Sequence, residues 1–177
     1  MNSVFFFKCF TSEQVKEINK TIKKNISKKE EPSRAAENVP KRGEFFHVPC
    51  MPVISSLYPW LYKCQEINSQ YFGYSIYWQF HLDAFNYNRY GVNDGYDWHM
   101  DGTAPHSPTD IKLTCLLNLS EEPYEGGEFK SMQQKEGLKF DPGMGLVIHS
   151  VVAHKVTPVT KGKRTTLTYW ASGPSWR

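Results

Sequence analysis

Apolar residues recur along the chain in two rhythms, and the change between them falls near Gly73. Residues 3–10 carry the run Val4-Phe5-Phe6-Phe7, expected as a first strand. Thr11 then offers an N-cap with Gln14 three positions on, and Val15, Ile18, Ile22 and Ile26 follow at helical spacing. An amphipathic helix packed against a sheet is expected over about 12–27. Residues 28–44 turn to charge, with Pro32, Gly43 and few apolar side chains, and read as a solvated loop. From 53 to about 71 a second helical pattern, Ile54, Leu57, Leu61, Tyr62 and Ile67, is interrupted by Pro59, so two joined pieces are expected rather than one rod.

Beyond Gly73 the pattern shortens. Residues 74–85, 111–119, 128–132, 145–156 and 164–170 are runs rich in β-branched and aromatic side chains, separated by Gly, Pro and Asn. The Gly/Asn-rich stretch 87–96 reads as a loop. Helices followed by strands place the chain in the α+β class, its later part an antiparallel sandwich or small barrel.

At 177 residues with 40% hydrophobic and 15% aromatic content, the chain can bury one core, and a single domain over 1–177 is expected. The net charge of +3 is small and the signs are interspersed, so bulk electrostatics call for neither a nucleic-acid nor a membrane partner. Cys9, Cys50, Cys64 and Cys115 form no Cys-x-x-Cys pair, and residues 1–30 lack the features of a signal peptide. The expected setting is a reducing cytoplasm. Val4-Phe5-Phe6-Phe7 is too short to span a bilayer.

The candidate chemistry centres on Tyr96-Asp97-Trp98-His99-Met100-Asp101-Gly102. Residues i and i+2 of a strand share a face, so His99 and Asp101 present an imidazole and a carboxylate together. A facial triad of two histidines and one carboxylate, which leaves positions open on an iron ion, needs one more histidine from far along the chain. Six are present. His47, His81 and His106 are read as structural, while His149 and His154 compete, both in apolar strand-like sequence. Arg164, ten positions after His154, favours His154, because a guanidinium is suited to bidentate anchoring of a carboxylate near a metal. Thr166, Thr168 and Trp170 continue the same strand face as Arg164. Gly126-Gly127 lies among acids with no helix after it and reads as a hairpin or bulge, not an anion cradle.

Taken jointly, Arg89-Tyr90-Gly91, His99-Met100-Asp101, Leu119-Ser120 with Tyr124-Glu125-Gly126-Gly127-Glu128, and His154 through Trp170 with Val156-Thr157-Pro158-Val159-Thr160 resemble the iron(II)- and 2-oxoglutarate-dependent oxygenases of the prolyl 4-hydroxylase type, and particularly the PKHD-type hydroxylases. The resemblance covers about 75–172, with 1–74 as supporting strand and helices. It implies a double-stranded β-helix (jelly-roll) core, with iron(II) held by His99, Asp101 and His154 and the distal carboxylate of 2-oxoglutarate held by Arg164. Tyr90 matches a tyrosine near the co-substrate. Asn118, which stands where many relatives have a larger residue, is expected with Arg164, Tyr90 and Thr166 among the co-substrate contacts, and Tyr90, Thr166 or Thr168 would supply the missing hydroxyl. The implied reaction consumes O2 and 2-oxoglutarate, with ascorbate as an auxiliary reductant the resemblance allows. It releases succinate and CO2 while hydroxylating, by the family's example, a proline in a peptide or protein. A free amino acid or other small molecule is the alternative substrate. Nucleic-acid dioxygenases of related chemistry carry a second arginine six residues after the first, where this chain has Trp170. Residues 28–44 and 87–96 are the expected gating loops.

Overall fold

A computed structural model describes residues 4–30, 41–80, 83–101, 109–133 and 140–176. Twelve strands and two helices are placed among them: β1 (Val4–Lys8), α1 (Ser12–Lys24), β2 (Lys28–Glu30), β3 (Glu44–Pro49), α2 (Cys50–Ile67), β4 (Ala84–Tyr90), β5 (Tyr96–His99), β6 (Thr109–Asn118), β7 (Glu125–Gly126), β8 (Phe129–Ser131), β9 (Met144–His149), β10 (His154–Val156), β11 (Val159–Lys161) and β12 (Arg164–Pro174). Seven strands form the larger sheet in the order β1-β9-β6-β12-β4-β3-β2, and two smaller sheets, β5-β10-β8 and β11-β7, complete the strand set. Every registered strand pair is antiparallel.

The central strands of the larger sheet separate the core from the site by the period-2 rule. On β6, Leu113, Cys115 and Leu117 join a core shared with the helices, and on β12 so do Leu167, Tyr169 and Ala171. Phe85 and Tyr87 of β4 belong to the same cluster. The helices answer with Val15, Ile18 and Ile22 from α1 and Val53, Leu57, Trp60, Leu61, Cys64 and Ile67 from α2, all buried. Gly145 shows how closely α2 approaches: a Cβ there would lie 2.4 Å from the Phe7 ring and 3.0 Å from Trp60. A second cluster, with Leu116, Phe129, Phe140, Leu146, Ile148 and Val152, fills the other face.

Thr11 and Gln14 form the expected capping box at the start of α1, which ends at Lys24. Several expectations require correction. Helix α2 continues through Pro59, because a proline removes one donor while the buried residues on both sides of it keep the rod seated; a π-helical turn, Asn68–Phe72, then leads to Gly73 at φ 69°. Residues 74–79 lie outside any strand, and the strand expected there begins only at Ala84. The expected loop 87–96 is half strand, since β4 runs to Tyr90 and only 91–95 separate it from β5. Within the expected loop 28–44, β2 pairs with β3; residues 31–40 lie outside the described residues. Finally, 145–156 is two strands joined by a turn at 150–153.

All four cysteines are thiols without a disulfide. Among the described residues no helix is long and apolar enough to cross a membrane.

Candidate metal and co-substrate site

His99 and His154 are direct register partners across the β5–β10 ladder. Asp101 follows β5 and is pinned by its backbone N–H, which donates to the Ser150 carbonyl at 3.1 Å. The side chains of His99, Asp101 and His154 are 7%, 6% and 5% exposed. Asp101 Oδ1 lies 3.6 Å from His99 Nε2, and its Oδ2 lies 3.4 Å from His154 Nε2. One donor atom from each of the three lies within 4.8 Å of the others, close enough for a single ion to be held by all three.

Second partners fix how each group is presented. The Nδ1 of His99 sits 2.7 Å from the Asp97 carbonyl and that of His154 2.9 Å from the Val152 carbonyl. A carbonyl only accepts, so both Nδ1 atoms carry a proton, and the two Nε2 atoms are the ones turned toward Asp101. Burial, and then the neighbouring His154, push the His99 imidazolium down to about 4 against the pull of Asp101, which favours the neutral form that a metal needs. Thr114 donates its hydroxyl proton to Asp101 Oδ2. Tyr96 stacks on His99 with ring centroids 3.5 Å apart, and Phe129 stacks on His154 at 5.4 Å.

Arg164 opens β12 directly opposite Tyr90 of β4, its guanidinium carbon 5.4 Å from the Tyr90 ring centroid. The residue is 1% exposed, and its Nε and Nη2 are buried without a hydrogen-bond partner among the described residues. No carboxylate among those residues forms a salt bridge with it. A buried cation left so is costly, by several kcal/mol, unless an anion completes it. Room for the side chain depends on Gly127, at φ 59°, where a Cβ would lie 2.8 Å from Arg164 Cδ. Gly126, at φ 71°, closes β7 opposite Val159, so the glycine pair shapes a strand end.

One cavity joins these groups, lined by Tyr90, Tyr96, His99, Asp101, His154 and Arg164, with Thr166, Thr168 and Trp170 of β12 beneath. Asn118 does not join them, contrary to the expected co-substrate contact. Its amide nitrogen donates to Tyr124 Oη at 3.0 Å and to the Phe140 carbonyl, and its Oδ1 accepts from the Ser120 N–H. His149 is also placed elsewhere, stacked on Tyr74 at 5.3 Å and edge-on to Trp176 at 5.6 Å. His47 lies in β3 opposite Asn86, while His81 and His106 fall outside the described residues. Sequence reasoning missed Thr114 and Asn88, both of which line the cavity; strand alternation with Leu113 and Tyr87 is the signal that could have found them.

The donor set fits iron(II): two neutral imidazoles and a carboxylate are the ligands of non-haem iron oxygenases, and a buried guanidinium supplies the place for a dicarboxylate. Residues 85–172 match the model of the 2OG-Fe(II) oxygenase superfamily. A PKHD-type hydroxylase of Alteromonas mediterranea is 34% identical over 93 residues, covering 48% of this chain and 41% of that protein. One from Xylella fastidiosa is 35% identical over 97 residues, covering 48% and 42%. The chain thus spans about two fifths of the length of these curated relatives. Among solved structures, a viral collagen prolyl hydroxylase from Paramecium Bursaria Chlorella virus-1 superposes with a TM-score of 0.72 at 17% identity over 97% of both chains. A Pseudomonas putida prolyl-4-hydroxylase does so at 0.68 and 16%, over 99% of this chain and 95% of that one. At such identities the likeness is one of fold, the jelly-roll core with two helices. The family match runs from the strand that carries Tyr90 into the one that begins at Arg164, and over that span the chain belongs to the 2OG-Fe(II) oxygenase superfamily.

Proposed function

We propose that this protein is a 2-oxoglutarate-dependent hydroxylase that uses iron(II) and O2 to hydroxylate proline in a peptide or protein, releasing succinate and CO2. The observation that carries this reading is the buried guanidinium of Arg164, without a counter-charge among the described residues, in the same cavity as His99, Asp101 and His154. His99, Asp101 and His154 hold the metal, and Arg164 receives the distal carboxylate of 2-oxoglutarate. When bound, iron(II) supplies the coupling of O2 reduction and oxidative decarboxylation of 2-oxoglutarate to hydroxylation of an unactivated C–H bond.

The chain's own residues bind, orient and exclude water. The Asp97 and Val152 carbonyls orient the two imidazoles so that Nε2 of each is the atom offered to the metal, and Thr114 fixes the rotamer of Asp101. Arg164 sets the direction of the co-substrate, with the Tyr90 ring beside it. Leu116, Phe129, Val156 and Trp170 provide apolar wall, which keeps bulk solvent from the reacting centre. No acid/base dyad is required. The proline assignment draws on the superfamily match and on relatives and fold neighbours named as hydroxylases and prolyl hydroxylases. Four unpaired thiols suit a reducing compartment, and we place the protein in the cytoplasm.

The test is succinate release from 2-oxoglutarate by the iron-loaded protein, with proline-containing peptides and, separately, with free amino acids. Stimulation by peptides supports the reading. Stimulation by a free amino acid alone moves the substrate to the small-molecule class.

A further inference from the structure

The sheet floor beneath the co-substrate is a grid whose rows are set by register. Arg164 faces Tyr90, Thr166 lies between Asn88 and Asn118, Thr168 between Asn86 and Leu116, and Trp170 faces Thr114. Because Thr114 bonds Asp101, the Trp170 row lies at the metal end, and Arg164 marks the opposite end. Thr168 is one row from the metal end.

Asn88 reaches into this grid from β4. Its Nδ2 donates to Thr168 Oγ1 at 2.9 Å and to the Asn86 carbonyl at 3.3 Å. Both amide protons are therefore committed, and the Asn86 carbonyl excludes the flipped amide, which would set two oxygens against each other. Thr168 thus accepts on its oxygen, leaving its own proton to be donated elsewhere, and Thr168 is one of the residues that line the cavity. The Oδ1 of Asn88 is buried without a partner among the described residues, and a 2-oxoglutarate dianion has no proton to offer it. Any contribution of Asn88 to the co-substrate must pass through Thr168.

We infer that Asn88 is a positioning residue that turns Thr168 into a one-way hydrogen-bond donor toward the keto-acid end of 2-oxoglutarate. This supplies the polar contact that Asn118, whose amide is spent on Tyr124, Phe140 and Ser120, does not make. The inference rests on the proposed orientation of 2-oxoglutarate, with its distal carboxylate on Arg164.

Equilibrium binding to the manganese-substituted protein, which needs no turnover, tests both layers. 2-Oxoglutarate is compared with succinate, which keeps a carboxylate for Arg164 and lacks the keto group. Asn88→Ala, Thr168→Val and the double variant should each weaken 2-oxoglutarate by about tenfold, the scale of one hydrogen bond, with succinate and manganese affinities unchanged. The double variant should lose no more than either single change, since both remove the same donor. Thr168→Ser, which keeps the hydroxyl, should bind like the parent. Additive losses, an unaffected Asn88→Ala, or equal weakening of 2-oxoglutarate and succinate would each overturn the assignment. Arg164→Ala is the separate control: if it binds 2-oxoglutarate normally, the underlying orientation fails, whereas its loss alongside a normal Asn88→Ala removes only the role of Asn88.

Discussion

His99 and His154 meet as register partners on neighbouring antiparallel strands, their ring centroids 4.3 Å apart. Two residues 55 positions apart in sequence are thereby locked into one ladder, so the two candidate metal-binding imidazoles are positioned by backbone hydrogen bonds without help from an ion. His149, only five residues before His154, points into a different aromatic cluster.

That division sets the first prediction. His154→Ala should reduce iron(II) affinity by about 100-fold or more, Thr114→Val by about 10- to 100-fold through the released Asp101, and His149→Ala little. Metal titration of the three variants decides; equal losses for the two histidine variants would remove His154 from the ligand set.

Arg164→Ala should abolish productive binding of 2-oxoglutarate while leaving metal bound. Removing one partner of a buried, charge-assisted bidentate pair costs about 3 to 5 kcal/mol. The measurement is a 2-oxoglutarate titration, and an unchanged affinity would mean that the guanidinium does not face the co-substrate.

Gly127→Ala should act on the same step without touching any polar group. The new methyl would meet Arg164 Cδ at 2.8 Å from a left-handed backbone, a strain of about 1 to 3 kcal/mol in stability. Weakened 2-oxoglutarate binding together with a lowered unfolding free energy is expected. Loss of stability with co-substrate binding intact would show that Arg164 tolerates displacement.

A pH effect follows from His149. Burial, and then Lys112, lower its pKa below the ordinary histidine value, and its Nε2 is buried without a partner among the described residues. A depressed folded value means that protons bind the unfolded chain more readily. The stability contributed by the neutral ring is therefore present above about pH 6.5 and lost as pH falls from there toward the folded value. Compared with His149→Gln, the metal-free parent should show a stability advantage that is smaller at about pH 5.5 than at about pH 7.5, read by chemical denaturation; His99 titrates in both proteins and cancels. An advantage equal at the two values would show that His149 does not titrate in this range.

What the sequence made legible depended on which side of a strand a residue faced. β12 could be read because Leu167, Tyr169 and Ala171 keep its inner rhythm apolar. β4 was hidden for the opposite reason: Asn86 and Asn88 fall on its site face, so a strand that lines a polar cavity takes on the composition of a loop. The cluster of His99, Asp101 and His154 was legible from the His-x-Asp spacing together with the distance from His154 to Arg164. The commitment of Asn118 to Tyr124 and Phe140 was not, because no local pattern reports a side-chain contact made across a sheet.

The alternation along β12 also separates two kinds of evolutionary risk. Arg164, Thr166, Thr168 and Trp170 line the cavity, while Leu167, Tyr169 and Ala171 hold the helices. Point substitutions can retune what the site accepts with little effect on the core, yet inserting one residue near the start of the strand would exchange the two sets at once. A substitution on the site face of β12 and an insertion at its start are therefore changes of different kinds, the first confined to the cavity and the second felt on both faces of the sheet.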